Sequence, residues 1–580
     1  MDEQVTQAPA PAAPNNESRM AKAASLVFVG IGFYVLGFVL YYFAATYNAM
    51  NLRTILIGAM PKFLGLGLFL IVCSFLYAIG DIRRILGGLD RRFLWAAAAI
   101  ALAAALAAFL IPPRTQRIHF DEEIYEGIGL SIAHTGRAAM INDGEFRYGQ
   151  LIVGLEEYNK QPNAWPYLIG VVFRAFGSHE RLIFALCNLL FGLGAFAVFL
   201  IGWRGFGNPW SGVFAMLVYA TVPMNLQWAN TTAVEVSTAV FAALTFLSWL
   251  LFAQEGTTAL LVLATAVSAY AVQFRPESSL ILPASGILLL AIRPSELKNT
   301  RLYVCALLFF ALTLGHWMHL LAVRNEDWGS EGQKLASDFI LGNLKVNGLY
   351  FLNNREFPVL YTLFAFAAIP GLKHLGKTAA VLLWFLAFWG IFLFFYAGSY
   401  KYGADIRFSL LVYAPLAILA GHGAARIADA CGKHAQHART VALLAMAACF
   451  LAFLPLIRTV GEEAWVARAD QKFSEAFADM LPDDGLVYSH DPCMFQIRGK
   501  SAAQMYVLTP ETDFEALQKR YPGGIFMHWG YWCVSAAYGQ DFYGQRILDS
   551  FVCEPAASFQ ERQYEYVLYK LTGKKAPAAP

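Results

Sequence analysis

The stretch that decides the fold is Phe93–Ile111, FLWAAAAIALAAALAAFLI, which is followed closely by His119-Phe120-Asp121-Glu122-Glu123. The first segment carries no charge and is long enough to cross a bilayer, for which about 20 apolar residues suffice. Charged groups are costly in hydrocarbon and tolerated at its edge. Carboxylates placed directly beyond a span are therefore either simply solvated or line a site that opens at the membrane surface.

The composition favours a membrane protein. Of the 580 residues, 58% are hydrophobic, 15% are aromatic and 14% are charged, and the mean hydropathy is +0.48. Soluble domains carry about 25% charged residues, so most of this chain is expected to be solvated by membrane lipids. The net charge of +2 gives no reason to expect a nucleic-acid partner. The eight cysteines show no metal-binding or redox spacing.

We predict a mainly α fold, a polytopic transmembrane bundle over residues 25–459, preceded by a disordered cytoplasmic tail at 1–24. About thirteen apolar segments are candidate spans. They are 25–46, 60–80, 93–111, 180–203, 209–224, 235–253, 257–273, 278–292, 302–322, 357–371, 379–397, 407–428 and 440–459. No internal repeat is visible, which argues against a transporter built from duplicated halves.

Lys and Arg concentrate in alternate loops, which predicts the orientation. If the spans alternate, these basic loops share the cytoplasmic side, and the acidic segment lies outside the cytoplasmic (inner) membrane. Two outer loops result, a catalytic loop at 112–165 and a second loop at 323–356. Within the first, Glu123–Thr135 and Trp165–Phe176 have the apolar spacing of helices lying at the interface.

The C-terminal segment, 460–580, is predicted to be a periplasmic soluble α/β domain. Its apolar runs shrink to strand length at Leu486–Tyr488, Gly524–Met527 and Tyr566–Tyr569, with a helical pattern at Thr512–Arg520. An oxidising compartment makes one disulfide reasonable among three cysteines, and the sequence does not choose the pair. These cysteines are Cys493, Cys533 and Cys553.

The acidic segment has two interpretations. Asp121 could cap a helix whose first turn holds Glu122 and Glu123, since acidic residues favour that end of the helix dipole. Alternatively, a carboxylate fixed at the mouth of a cavity is a general base, with Asp121 and Glu122 as the catalytic pair. Neighbouring carboxylates could also hold a divalent cation such as Mg²⁺ or Mn²⁺, so metal dependence stays open.

Three basic residues lie at or near predicted outer boundaries of the membrane. Lys160 could hold a lipid phosphate or simply extend to the headgroups. Arg275 and Arg407 suit phosphate because the guanidinium group is planar, but each could instead form an internal pair, with Glu277 and Asp405 respectively. Two further acidic residues are interpreted separately. Glu235 lines the same cavity or caps a span, and Glu277 is a cavity candidate.

These residues together resemble the GT-C superfamily of polytopic glycosyltransferases, in the branch of the protein O-mannosyltransferases and the lipid A aminoarabinose transferase. The resemblance covers roughly 112–300 well and the later spans loosely, and it rests on the order of short motifs. They are Asp121-Glu122, the helix Ile124-Tyr125-Glu126-Gly127-Ile128-Gly129, Thr135-Gly136, Lys160-Gln161-Pro162, Phe176-Gly177, Arg181, Arg275-Pro276 and Arg407-Phe408.

The resemblance implies an inverting transfer of a sugar from a polyprenyl-phosphate donor to a hydroxyl or amine of a glycan, lipid or protein. It implies that Asp121 is the base, that Lys160, Arg275 and Arg407 contact the donor phosphate, and that Tyr125 belongs to the cavity. The chain departs from many relatives in two places, with Asn163 after Pro162 and Glu235 where an aspartate is common. Alternative hypotheses are a polytopic transporter or flippase, and an oligosaccharide ligase that uses a diphosphate-linked donor.

Overall fold

The computed structural model describes residues 16–326, 333–369, 374–534 and 542–576. Up to the end of the bundle, the helices are α1 (Asn16–Thr46), α2 (Ala49–Gly87), α3 (Arg91–Leu110), α4 (Asp121–Thr135), α5 (Ala164–Phe176), α6 (Glu180–Phe206), α7 (Pro209–Thr221), α8 (Pro223–Trp228), α9 (Val234–Glu255), α10 (Thr258–Ala271), α11 (Ile281–Ile292), α12 (Thr300–Leu312), α13 (Leu314–Val323), α14 (Ile340–Tyr350), α15 (Val359–Ala368), α16 (Leu375–Phe394), α17 (Leu410–Ala430) and α18 (Ala435–Ile457).

After the bundle come α19 (Trp465–Met480), α20 (Cys493–Gln496), α21 (Phe514–Arg520) and α22 (Phe542–Ser550). The strands are β1 (Met140–Arg147), β2 (Gln150–Glu157), β3 (Leu486–Ser489), β4 (Ser501–Gln504), β5 (Ile525–Trp529), β6 (Phe551–Glu561) and β7 (Tyr564–Lys574). The chain is thus mainly helical with one region of sheet, as predicted.

The number of spans is smaller than predicted. By length and composition, the described residues contain eight helices able to cross a membrane, or nine if α12 and α13, bent by 45°, form one span. Several predicted spans are shorter apolar helices, among them α10 and α15. Hydropathy alone does not separate a span from a short helix buried in protein, which explains the estimate of thirteen. Helix α1 begins at Asn16, so residues 16–24 are helical where a disordered tail was expected; residues 1–15 lie outside the described part.

The two ends of the bundle differ in charge. Helix α9 begins beside the acidic segment and ends at Glu255, about 33 Å away for 22 residues. At that far end, Arg84 and Arg204 both pair with Glu255. Arginines from two of the predicted cytoplasmic loops therefore meet at the end of the bundle opposite to the acidic segment.

The strands form one mixed seven-stranded sheet in the order β2-β1-β4-β3-β5-β7-β6. Only β3 is flanked by parallel neighbours, β4 and β5, and the other neighbouring pairs are antiparallel. The sheet joins two distant parts of the sequence, because β1 from the first outer loop pairs with β4, with Asp143 opposite Ala503. The C-terminal segment and the first outer loop therefore share one sheet, a connection that the sequence analysis did not predict.

Side chains strengthen this junction. The Gln496 amide donates to the carbonyl oxygens of Ile141 and Ala502, which belong to the two joined strands. A Cβ atom on Gly144 would lie 2.8 Å from Gln496 Nε2, so the glycine allows this close approach. A salt bridge of 2.6 Å between Arg520 and Glu145 also connects the C-terminal segment to the first outer loop.

The expected disulfide does not form. Across the described residues, which include all eight cysteines, the structure contains no disulfide bond. Cys493 lies on α20 and packs against α4, where a Cβ atom on Gly127 would lie 3.1 Å from its sulphur. The prediction of one disulfide among Cys493, Cys533 and Cys553 was based on an expected oxidising compartment and not on geometry.

Candidate active site

The acidic segment forms a strained turn at the start of α4. Phe120 has φ 72° and ψ −49°, and the Asp121 amide donates to the His119 carbonyl at 3.0 Å. This is a γ-turn of positive φ, which is rare for a residue with a side chain. Such a conformation costs about 1–3 kcal/mol and persists only where the surroundings impose it. Phe120 occupies the N-cap position and Asp121 is the first residue of α4, so Asp121 is not the cap that one interpretation expected.

Both oxygens of Asp121 are held by residues far away in the sequence. Oδ2 accepts from Arg407 Nη1 at 2.9 Å, and Oδ1 accepts from Gln161 Nε2 at 3.2 Å. The Asp121 side chain keeps 25% exposure, so the carboxylate is oriented and still reachable from solvent. The loop that carries the predicted lysine thus contacts Asp121 through Gln161.

Two arginines meet over a buried carboxylate. Glu235, at the start of α9, is fully buried and lies 2.5 Å from Arg275 Nη1 and 3.5 Å from Arg407 Nε. Beneath them, the Phe408 ring lies 5.3 Å from the Arg275 guanidinium carbon and 5.2 Å from that of Arg407. Cation–π contact of this kind favours a fixed guanidinium position. The structure thus brings together Glu235, Arg275 and Arg407, which the sequence analysis considered as residues of one cavity.

The internal ion pairs considered as alternatives are also present. Arg275 pairs with Glu277, and Arg407 Nε lies 3.5 Å from Asp405 Oδ1. The group therefore holds two cations and four carboxylates, which we call the charge cluster. Its members are Asp121, Glu235, Arg275, Glu277, Asp405 and Arg407.

Tyr125, one turn along α4 from Asp121, is buried beside the charge cluster. Burial, with Asp121 and Glu235 nearby, raises the pKa of its phenol. The hydroxyl group therefore stays protonated and can donate a hydrogen bond. The assignment of Tyr125 to the cavity stays a prediction.

A sequence model of the family described as dolichyl-phosphate-mannose-protein mannosyltransferase matches residues 160–319. The fold is similar to that of ArnT from Cupriavidus metallidurans bound to undecaprenyl phosphate, with a TM-score of 0.53 at 16% identity, over 83% of this chain and 98% of that one. The chain therefore has a GT-C-like fold, and part of its sequence matches a glycosyltransferase family.

The apo state of the same ArnT gives a TM-score of 0.51 at 15% identity, again over 83% of this chain and 98% of that one. An oligosaccharyltransferase from Archaeoglobus fulgidus gives 0.46 at 12% identity, over 80% of this chain and 71% of that one. A comparison with curated proteins found no match. The comparisons confirm the resemblance inferred from the sequence.

Glu122 does not join the charge cluster. Its side chain is fully buried, and Oε2 accepts from the amides of Arg117 at 2.5 Å and Ile118 at 2.7 Å. Oε1 accepts from the Thr232 amide at 2.9 Å and from the Thr232 hydroxyl at 3.2 Å. The pairing of Glu122 with Asp121 as catalytic residues is therefore corrected: Glu122 ties α4 to the segments before it and before α9.

Lys160 lies between two anchored residues of the loop that leads into α5. Tyr158 hydrogen-bonds His319 Nδ1 at 2.7 Å and accepts from Asn163 Nδ2 at 3.2 Å, while Gln161 contacts Asp121. The loop is thereby fixed beside the charge cluster with Lys160 half-buried within it.

Within the described part of the chain, the charge cluster does not offer metal ligands in a suitable arrangement. Among the described residues, no group of three or more His, Cys, Asp or Glu side chains could hold a metal ion. Asp121 is engaged by Arg407 and Gln161, and the oxygens of Glu122 are engaged by N–H and O–H donors. These residues therefore do not fit the divalent cation that the acidic pair suggested.

Three site residues escaped the sequence analysis as contributors. Gln161, Phe408 and Phe120 appeared in the sequence analysis only as members of short motifs and were given no role of their own. Polar and aromatic residues at such places are common, and only their contacts across the fold distinguish them.

Proposed function

We propose that this chain is a glycosyltransferase, which moves a sugar from a polyprenyl-phosphate donor to an acceptor hydroxyl or amine at the outer face of the cytoplasmic membrane, with inversion at the anomeric carbon. The observation that carries the proposal is the contact between Asp121 and Arg407 within a cluster that also contains Arg275. One carboxylate and two arginines are thereby brought together from three distant segments.

A lipid-linked donor fits the position of the cluster. The polyprenyl chain of such a donor lies in hydrocarbon while its sugar lies in water, so the reacting bond must be at a membrane boundary. The cluster is at the end of α9 that adjoins the sheet, opposite the arginines around Glu255. The positive-inside rule assigns that arginine-rich end to the cytoplasm and the cluster to the outer face.

The reaction needs a base and a stabilised leaving group. Asp121 accepts the proton of the acceptor O–H or N–H as that atom forms a bond to C1 of the sugar. The bond between C1 and the phosphate oxygen breaks, its electron pair leaves with the polyprenyl phosphate, and Arg275, Arg407 and Lys160 balance the new charge. Donors fixed in advance where charge develops are among the largest contributions to catalysis.

The charge balance of the cluster makes Lys160 important. Two arginines already face four carboxylates, so a further anion is not favoured by these six residues alone. A guanidinium group has five N–H donors, so each arginine can hold a phosphate oxygen while it stays paired with a carboxylate. A third cation from the adjoining loop then compensates the phosphate charge.

The experiment is mass spectrometry of surface glycans and lipids from cells that carry the intact gene, lack it, or carry Asp121→Asn. The proposal expects one glycan or lipid modification to vanish in the deletion and to remain absent with Asp121→Asn. Restoration of that modification by Asp121→Asn would overturn the assignment of the base. If the deletion accumulates a diphosphate-linked oligosaccharide, the ligase alternative is favoured instead.

A further inference from the structure

The strained turn before Asp121 rests on the C-terminal segment of the chain. The Phe120 ring lies 4.7 Å from the ring of His490, at 69°, and 6.4 Å from the indole of Trp532. Both partners belong to the C-terminal segment, and each follows a strand of the sheet. The residue directly before the proposed base is therefore packed against a different part of the molecule from the one that holds Arg275 and Arg407.

The sheet explains why these partners meet. His490 directly follows β3, and Trp532 lies just after β5. Since β3 and β5 are parallel neighbours, the residues that follow them lie at the same edge of the sheet, where crevices of such sheets open. Phe120 occupies this edge.

Trp532 is the centre of the packing. It is fully buried, and its indole stacks with His119 at 5.0 Å and 11° and with His490 at 5.0 Å and 22°. His119 is also fixed by Asp470 of α19, whose Oδ2 lies 3.0 Å from Nδ1 of the imidazole. The two residues before Asp121 are thus both held by side chains of the C-terminal segment.

We propose that Trp532 and His490 are positioning residues, which hold Phe120 in its positive-φ turn and thereby direct the Asp121 carboxylate toward the acceptor. This inference rests on the proposed role of Asp121 as base. A residue with a side chain leaves positive φ unless its surroundings prevent it, because that region is unfavourable for L-amino acids. Loss of the stack lets the turn relax and moves the carboxylate, while the arginines, which belong to other segments, keep their places.

The first test separates positioning from binding in the full-length chain reconstituted in nanodiscs. For Trp532→Ala, we expect affinity for undecaprenyl phosphate, used as the probe, to stay within about twofold of the intact chain. Turnover with a polyprenyl-phosphate sugar should fall about 100-fold, the scale expected for a misplaced catalytic group. Trp532→Phe keeps an aromatic ring in the stack and should restore most of this loss.

The matched control is Phe514→Ala. Phe514 is a buried aromatic residue of the same sheet region, and it packs on Phe551 at 5.4 Å. The Phe514→Ala variant should have a lower melting temperature than the intact chain but a similar turnover. Equal losses of turnover in Trp532→Ala and Phe514→Ala, or a parallel loss of probe affinity in Trp532→Ala, would overturn the inference.

A second measurement does not depend on the donor. Hydrogen–deuterium exchange of the amides from 118 to 124 should be faster in Trp532→Ala and in His490→Ala than in the intact chain, and unchanged in Phe514→Ala. If the intact chain transfers sugar and exchange is unchanged in both variants, the inference fails and the proposed function stands. If exchange is faster but no polyprenyl-phosphate sugar is used, the proposed function fails and the contact stands. If Trp532→Ala does not fold, His490→Ala gives the same comparison.

Discussion

Arg407 Nη1 donates to Asp121 Oδ2 at 2.9 Å across 286 residues of sequence. The contact joins the start of α4 to the turn just before α17 and places the proposed base beside a cation that is proposed to stabilise the leaving group. Arg407 therefore contacts the group proposed to remove the acceptor proton and is also available to the departing phosphate. As negative charge grows on the departing phosphate, the arginine is drawn toward it, and the carboxylate becomes freer to keep the acceptor proton.

Asp121→Asn should abolish transfer and leave donor binding nearly unchanged. Asparagine preserves the size of the side chain and a carbonyl acceptor for Arg407, but it cannot take a proton. General-base catalysis contributes about 100- to 10,000-fold, so single-turnover rates should drop by at least the lower value. Rates are measured in nanodiscs alongside binding of undecaprenyl phosphate. Transfer at the normal rate would remove the role of Asp121.

Glu122→Gln is the matched control one residue along. The buried Glu122 carboxylate accepts hydrogen bonds from three backbone amides and a hydroxyl group. In the glutamine variant, the side-chain NH2 group would face some of these donors and could not accept from them. The expected cost is about 1–3 kcal/mol of stability for a buried donor without an acceptor. Protein that folds should retain turnover. A turnover defect as deep as that of Asp121→Asn, with an unchanged melting temperature, would instead make Glu122 catalytic.

Lys160→Ala should weaken donor binding more than it slows the transfer of sugar from donor that is already bound. The charge cluster contains more carboxylates than arginines, so the phosphate depends on this third cation. We expect a loss in undecaprenyl phosphate affinity of about tenfold, which corresponds to about 1.4 kcal/mol. Lys345→Ala, which removes a lysine of the second predicted outer loop, serves as the control. Unchanged affinity in Lys160→Ala would refute its contact with phosphate.

Glu123→Gln should stabilise the protein at alkaline pH. Burial, and next the charge of Asp491, raise the pKa of the Glu123 carboxyl well above its ordinary value. The folded state therefore binds a proton that the unfolded state releases above about pH 4.5, so stability falls as the pH rises from there. Glutamine removes this loss. The melting temperature of Glu123→Gln should exceed that of the intact chain at pH 8 and approach it at pH 5.

Exposed Glu511→Gln is the control for that pH series, since its carboxylate lies at the surface. It should not raise the melting temperature at pH 8. If Glu123→Gln gives the same difference at both pH values, the buried carboxyl does not carry the titration.

Local signals in the sequence were sufficient for much of the architecture. Apolar periodicity gave α4 and α5 close to their observed bounds, and short β-rich runs gave β3, β5 and part of β7. Motif order led to Asp121, Arg275 and Arg407, which the structure brings together.

What could not be predicted depends on contacts across the sequence. Strand β1 contains Asp143 and Gly144, which disfavour strands locally, and it is stabilised by pairing with β4 more than 350 residues later. Glu122 and Asp121 are chemically alike and adjacent, and only the direction of the α4 helix separates a buried structural carboxylate from an accessible one. The γ-turn at Phe120 is likewise imposed by Trp532 and His490.

The most direct test of the central claim is single-turnover transfer by the purified, full-length chain with matched synthetic undecaprenyl-monophosphate and undecaprenyl-diphosphate sugars. A panel of sugars is offered on each lipid, and the anomeric configuration of the product is read by NMR spectroscopy. The account predicts transfer of one sugar from the monophosphate lipid with inverted configuration, and its loss in Asp121→Asn. Transfer from the diphosphate lipid alone, or retained configuration, would contradict it.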